Sequence, residues 1–430
     1  MGASASSRRA WTVVVLLFCF MLINFMDKTV LGLAGKHIKE DLGLSDTRFG
    51  AIGSAFFLLF SVSGVVVGFL ADRVPAKRLL TGLVLLWSVA QLAVALPASG
   101  LAVLVGTRVL LGAAEGPAFP LANHTAFSWF PDRERTLPSS LLSVGGATGV
   151  AVGGPLLAVV IGQLGWRAAF AVTGVLGLLW MVAWLALGGE GRYSPRTAVQ
   201  DGDEGEARVP YRRLFTRGTV LGGLAAGFAA FWMMAVAITW LPQFLQRVHG
   251  FSLEQASLTA AGTQVVGIVF MLAIGGTSQR MMRNGTSSRI ARGVVGGAAV
   301  VVSGLGVLLF TRAGGGAAMV LVMLLAFTVG NSFFGLMSAS LAELAPARQR
   351  AALLGTVTAL ASSAGAFGPA VTGAFADAAG DAAQGFQHAF DLAGGLMIVG
   401  GLLGAALMRP GRDRAALLDG TAPEPIPASR

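Results

Sequence analysis

Four ionisable side chains lie inside long apolar runs, where charge is expensive. Asp27 and Lys28 are adjacent in LINFMDKTVLG, 22–32; Arg108 and Glu115 stand seven residues apart in RVLLGAAEGPAFP, 108–120. A charge at the centre of a membrane helix costs about 2.5–3.5 kcal/mol on insertion scales, so such residues are paired, hydrated or both. Asp27 and Lys28 point about 100° apart on a helix and cannot neutralise each other on one face. Arg108 and Glu115 share a face, but two turns, about 10 Å, separate them along the axis. Partners on other helices, or a ligand between them, are therefore expected. A carboxyl group facing a partly dry cavity can exchange protons near neutral pH, which makes Asp27 and Glu115 candidate proton carriers. Lys28 and Arg108 are candidate anion holders, the arginine able to grip a carboxylate through two parallel hydrogen bonds. The competing reading is a structural ion-pair network that locks helices together.

These residues need a helical scaffold within a bilayer. Of 430 residues 54% are hydrophobic and 12% are charged, about half the charge of a soluble domain. Apolar runs near the spanning length of about 20 residues fall at 11–34, 48–71, 79–97, 101–124, 138–162 and 166–187. A second set falls at 219–245, 254–276, 290–311, 316–341, 351–376 and 387–408. This predicts an all-α integral membrane protein: a six-helix bundle over 1–187, a polar connector over 188–218, a second six-helix bundle over 219–408 and a disordered tail over 409–430. Sixty glycines fit helices that approach closely through small residues. The lone Cys19 excludes an intrachain disulfide, and the first apolar run reads as a retained helix with no small-residue cleavage site after it.

Lysine and arginine orient the chain. Only Lys36, Lys39, Arg48, Arg167, Arg247 and Arg312 fall in the loops opposite the connector, and Lys28 and Arg108 within the membrane; the rest of the 31 lie on the connector side. The positive-inside rule then places both termini in the cytoplasm. The net charge of +10 is spread over short loops, which fits membrane orientation and not nucleic acid. The halves echo each other: PDRER, 131–135, matches PARQR, 346–350, and Gly154-Pro155 finds Gly368-Pro369 about half a chain later. Two such halves, with a site at their midplane interface, describe an alternating-access transporter.

GFLADRVPAKR, 68–78, resembles the loop signature of the major facilitator superfamily, G-x-x-x-D-R-x-x-x-K/R. NFMDK, RVLLGAAEGPAFP, WFPDRER and GWRAAF resemble its anion:cation symporter branch, and TWLPQFL, 239–245, and GAFGPAVTG, 365–373, match more loosely. The family often has arginine where Lys28 stands, and glycine where the loop has Pro75. The resemblance implies proton coupling at Asp27 and Glu115, anion binding at Lys28 and Arg108, and gate roles for Asp72 and Arg73. Arg135 is a further gate candidate, although it, Arg133, Arg348 and Arg350 also read as anchors on the basic side.

The second half has no buried charge of this kind. Gln264, Asn331, Trp232, Thr358 and Ser362, with Ser332, Ser363 and Trp240 nearby, could read the body of a substrate; alone, each equally suits helix packing. Pro117 and Pro120 are expected to bend the fourth span. No G-x-x-x-x-G-K loop, metal cluster or catalytic constellation occurs, so neither an enzyme nor a cofactor is expected. The first expectation is a monomeric plasma-membrane symporter that moves a small organic anion, such as a sugar acid or aromatic acid, with protons. A proton-driven exporter of a drug or secondary metabolite is the alternative, since GATGVAVGGP, 146–155, resembles the antiporter glycine-proline motif. A transporter-like sensor is the third.

Overall fold

A computed structural model describes residues 2–71, 73–131, 134–191, 209–314, 316–346 and 349–418. Among them, twelve helical spans are long and apolar enough to cross a membrane, each overlapping one of the expected runs. The first half comprises α1 (Gly2–Leu42), α2 (Asp46–Ala71), α3 (Ala76–Ala95), α4 (Leu101–Glu115) and α5 (Ala118–Phe127), then α6 (Thr136–Leu164) and α7 (Trp166–Leu187). After the short α8 (Tyr211–Phe215), the second half comprises α9 (Gly218–His249), α10 (Leu253–Arg283), α11 (Val295–Phe310), α12 (Gly316–Thr328) and α13 (Phe333–Leu344). It closes with α14 (Arg350–Ser362), α15 (Gly368–Ala378), α16 (Ala382–Leu407) and α17 (Pro410–Leu418).

Local chemistry sets the ends. Gly43 ends α1 at φ 59°, and Gly165 turns the chain from α6 into α7 at φ 85°, a region that costs glycine little. Ser252 and Gln255 form a reciprocal capping box at the start of α10. The fourth span is broken, as its prolines lead one to expect: α4 stops at Glu115, and Pro117, which has no N–H to give, starts α5. The tenth and eleventh spans are also interrupted, by single 3-10 turns at Val329–Ser332 and Ser363–Ala366.

Several boundaries differ from expectation. Lys36, Lys39, Arg48 and Arg247 lie within helices, near their ends, because α1, α2 and α9 extend beyond their apolar cores. The connector is polar in sequence, yet its last part is anchored. Val209 donates to Gln349 Oε1 at 2.9 Å and accepts from its Nε2 at 2.8 Å, and Leu214 is fully buried. The tail is not wholly irregular either: Pro410–Leu418 is helical, with Asp413 Oδ2 accepting from the N–H and hydroxyl of Thr219 at the start of α9. The remainder of the connector, 192–208, with Tyr193, and of the tail, 419–430, lies outside the described residues, as do Asp72, Arg133 and Arg348.

Cross-half bonds run from mid-span toward the end remote from the connector. Ser61 and Ser362 hydroxyls meet at 2.6 Å, and Ser54 Oγ accepts from Ala370 N at 3.0 Å. At that far end the Asp46 carboxylate bridges Lys39 at 2.5 Å and Arg247 at 2.7 Å. Asp377 of α15 accepts from the N–H groups of Asp46 and Thr47, at 2.9 and 2.7 Å, capping α2 from the opposite half. The described conformer is held shut at this end.

Candidate functional site

Close backbone packing brings the intramembrane charges together. On α4, a Cβ at Gly112 would collide with the main-chain oxygen of Phe56, and one at Gly116, which caps its C-terminus, with that of Phe60. Glycine at both positions therefore lets α4 lie directly on α2. On α6, Gly145 and Gly149 do the same for the main-chain oxygens of Phe18 and Leu22 of α1, and Gly153 makes room for the Met26 side chain. These four-residue spacings stack the glycines on one face. They seat α4 on α2 and α6 on α1, and across this packing the side chains of Lys28 and Glu115, distant in sequence, reach each other.

Lys28 Nζ lies 3.2 Å from Glu115 Oε2 and donates to Asn24 Oδ1, one helical turn back, at 2.5 Å. The Glu115 contact is ionic without an aligned hydrogen bond, and both its oxygens lack a hydrogen-bond partner in the protein. The ammonium also stands 4.4 Å from the Phe25 ring centroid and 5.9 Å from that of Phe60, a geometry in which ring faces attract a cation. Asp27, on the next face of α1, accepts from Gln91 Nε2 of α3, while its Oδ2 has no partner. Gln91 Nε2 also reaches Thr173 Oγ1 of α7 at 3.3 Å, and Arg108 Nη2 approaches Gln91 Oε1 at 3.5 Å. The Arg108 guanidinium lies 5.0 Å from the centroid of Phe170 and within electrostatic reach of both carboxylates.

Two acids and two bases thus share one buried compartment, walled by phenylalanines. Asp27, Arg108 and Glu115 are at most 2% exposed, whereas the Lys28 side chain is 12% exposed. Lys28 is the member of the cluster that faces solvent. Partial pairing meets part of the cost of burial and leaves oxygen atoms of both acids open to a proton. Among the described residues, no group of His, Cys, Asp and Glu could hold a metal ion.

The second-half candidates are not drawn into this cluster. Trp232 is buried on α9 beside Phe228, and Gln264 is half-buried on α10. Asn331, in the break between α12 and α13, donates back to the Phe327 carbonyl at 3.1 Å. Thr358 is exposed on α14, and Ser362 meets Ser61 across the halves. Of the gate candidates, Arg73 is exposed in the turn after α2. Arg135 donates to the Phe130 carbonyl at 3.1 Å and lines a cavity of about 360 Å³ with Phe127, Ser139, Ser140 and Ser143. Sequence reasoning missed Gln91 and Thr173. One signal pointed to Gln91: it is the lone carboxamide in the third apolar run.

Two six-span bundles with a charged compartment in one of them have the architecture of a multi-pass membrane transporter. The chain belongs to the Major Facilitator Superfamily, whose sequence profile matches residues 17–338. It is 28% identical over 410 residues to the hexuronate transporter of Bacillus subtilis, covering 93% of this chain and 94% of that one. A probable sulfoacetate transporter of Cupriavidus necator is 31% identical over 65% of this chain and 67% of its own length. The D-galactonate transporter of Escherichia coli is 28% identical, over 68% and 72% of the two chains. These relatives place the chain in the sugar-acid and anion branch of the superfamily. Among solved structures, a bacterial homologue of the human lysosomal transporter Spinster superposes with a TM-score of 0.77 at 18% identity, over 94% of this chain and 97% of that one. A D-xylose-proton symporter superposes at 0.74 with 15% identity, over 94% and 99%; both likenesses concern the fold.

Proposed function

We propose that this chain is a proton-coupled symporter of small organic anions, with sugar acids as the first substrate class to test. The observation that carries the reading is the Lys28–Glu115 pair, buried on the acid side and open to solvent on the lysine side. Protonating Glu115 removes the partner of Lys28, and a freed ammonium in a compartment of low polarity favours an arriving anion. The substrate carboxylate supplies it, with Arg108 as the second holder through its planar fork. Asp27, with one unpartnered oxygen, is the second proton carrier. Proton and anion then load together because each removes the obstacle to the other. The relatives' names support the class: hexuronate, galactonate, glucarate and sulfoacetate all carry at least one carboxylate.

Polar groups of the second half, Gln264, Asn331, Trp232, Thr358 and Ser362, would meet the body of the substrate when the halves move. Asp72, Arg73 and Arg135 would close the connector side. The basic side is assigned to the cytoplasm of a cell membrane, both termini included, so the described conformer would face inward. The transporter would work as a monomer.

The test is uptake into proteoliposomes under an imposed pH gradient, with D-galacturonate, D-galactonate, D-glucarate and sulfoacetate. Melting shifts of the purified protein at two pH values run alongside, with Arg108→Ala as control. Uptake of one acid that stops when the gradient is collapsed, and in Asp27→Asn with Glu115→Gln, supports the reading. Uptake that survives both neutralisations refutes it, and stabilisation by hydrophobic cations alone would put the exporter in its place.

A further inference from the structure

We propose that Gln91 is a positioning residue that keeps Asp27 and Arg108 apart, so that the acid stays free to exchange a proton and the guanidinium stays free to hold an anion. This rests on the symport reading above. The observation is geometric. The Gln91 carboxamide sits between a carboxylate and a guanidinium, its NH2 turned to Asp27 Oδ1 and Thr173 Oγ1 and its oxygen turned to Arg108 Nη2. Gln91 is buried on α3, one helix away from both charges.

The orientation of the amide is set by its neighbours. Flipped, it would aim its oxygen at a carboxylate and its NH2 at a guanidinium, two repulsive contacts in place of two attractive ones. A carboxamide also gives the same donor and acceptor at every pH, because it does not ionise. The other groups facing Asp27 are Arg108 and Glu115 on α4 and the Thr173 hydroxyl on α7, with Lys28 next on its own helix. Of these, Arg108 is the base that would take Asp27 as a direct partner if the spacer were gone.

Such a direct pair would be bidentate and strong in this setting. It would occupy both Asp27 oxygens, including the Oδ2 now without a partner, and most of the fork that an incoming carboxylate needs. Gln91 therefore prevents an ion pair that would lock two working groups to each other. The interposed amide holds them within reach but not in contact.

Two variants separate this role from simple packing. Gln91→Leu fills similar space but offers neither donor nor acceptor, so Asp27 and Arg108 lose their shared polar partner and are left to reach each other past the flexible side chain. Gln91→Glu reproduces the carboxamide pattern only while protonated; once ionised it repels Asp27 and pairs with Arg108. The first measurement needs no substrate: melting temperature against pH for wild type, Gln91→Leu, Gln91→Glu, Asp27→Asn and each Gln91 change combined with Asp27→Asn. We expect Gln91→Glu to follow wild type at acid pH and depart as pH rises. We expect Gln91→Leu to alter the pH dependence of melting with Asp27 present and to leave it unaltered in Asp27→Asn.

The second measurement is D-galacturonate uptake into proteoliposomes at several pH values. In Gln91→Leu the apparent KM should rise about tenfold or more, the scale of one lost strong contact, and uptake should lose its stimulation by acid. Equal effects of Gln91→Leu on melting with Asp27 intact and in the Asp27→Asn background, with an unshifted pH profile for Gln91→Glu, would overturn the proposal and leave Gln91 a packing residue. Wild type that fails to take up D-galacturonate speaks against the substrate class alone, since the melting series does not depend on it.

Discussion

Removing the Asp377 carboxylate should open the far end of the transporter. Asp377 accepts two main-chain N–H bonds from Asp46 and Thr47 across the halves, at 2.9 and 2.7 Å. Charge-assisted hydrogen bonds are worth about 1.5–3 kcal/mol when buried. Asp377 is exposed, so about 0.5–1 kcal/mol each is the proper scale after solvent screening. Asp377→Ala thus removes about 1–2 kcal/mol from the closed state, which shifts the ratio of open to closed by about 5- to 30-fold. Helix α2 survives the loss, because Ser45 Oγ still accepts from Arg48 N at 3.3 Å. A reporter change, Thr239→Cys, reads the opening in a Cys19→Ser background, since Thr239 is buried where α9 meets Gly53 of α2. Its labelling by a membrane-impermeant maleimide should accelerate by that factor in Asp377→Ala, and again when Arg247→Ala removes the neighbouring bridge to Asp46. Labelling rates unchanged in both variants, with melting also unchanged, would show that this cluster does not hold the end shut.

Three further outcomes follow from the packing and the charges. Gly112→Val forces α4 away from the Phe56 carbonyl and should cost about 1–3 kcal/mol, seen as a lower melting temperature; Gly106→Ala, where a Cβ meets nothing within 4 Å, should leave melting unchanged or raise it. Lys28→Met leaves Glu115 without its cation and should destabilise the neutral-pH protein by up to about 3–5 kcal/mol, with Glu115→Gln in the same chain restoring most of the melting temperature. Lys28→Arg keeps the charge and should retain anion uptake, measured in proteoliposomes, at a cost in apparent KM of less than about tenfold.

Much of this arrangement is visible in the sequence because charge in an apolar run is conspicuous. Asp27, Lys28, Arg108 and Glu115 could be picked out, and so could the twelve spans and the break that Pro117 introduces. Which base would meet which acid could not be read, since the Lys28–Glu115 contact depends on glycines that seat α4 on α2 and α1 on α6. Gln91 and Thr173 looked like ordinary polar residues of membrane helices; burial between two charges is a tertiary property. Asp46 and Asp377 gave no signal either, standing at span ends where acids are common. The interruption at Val329–Ser332 contains no proline and was not announced, whereas the one at Ser363–Ala366 is followed by Pro369 in the first turn of α15, a break signal that the sequence did carry. The helical Pro410–Leu418 escaped because its polar composition resembles a solvated tail, whereas Asp413 docks it onto Thr219.

The four-charge compartment also bears on how membrane voltage acts. With both acids ionised, two acids and two bases would sum to zero, and the empty site would present no net charge to the transmembrane field. In the proposed symport, a monovalent anion entering with one proton would leave that sum at zero. The loaded protein then moves no charge across the membrane, and the roughly 2.3 kcal/mol per charge that 100 mV would provide does no work on that step. A second proton makes the loaded site positive, and an inside-negative potential then drives it inward. A dianion such as glucarate is electrically silent only with two protons, for which Asp27 and Glu115 offer two seats. In the proposed symport, the charge of the cargo and the number of protonated acids would together decide whether the carrier runs on the pH difference alone or on voltage as well.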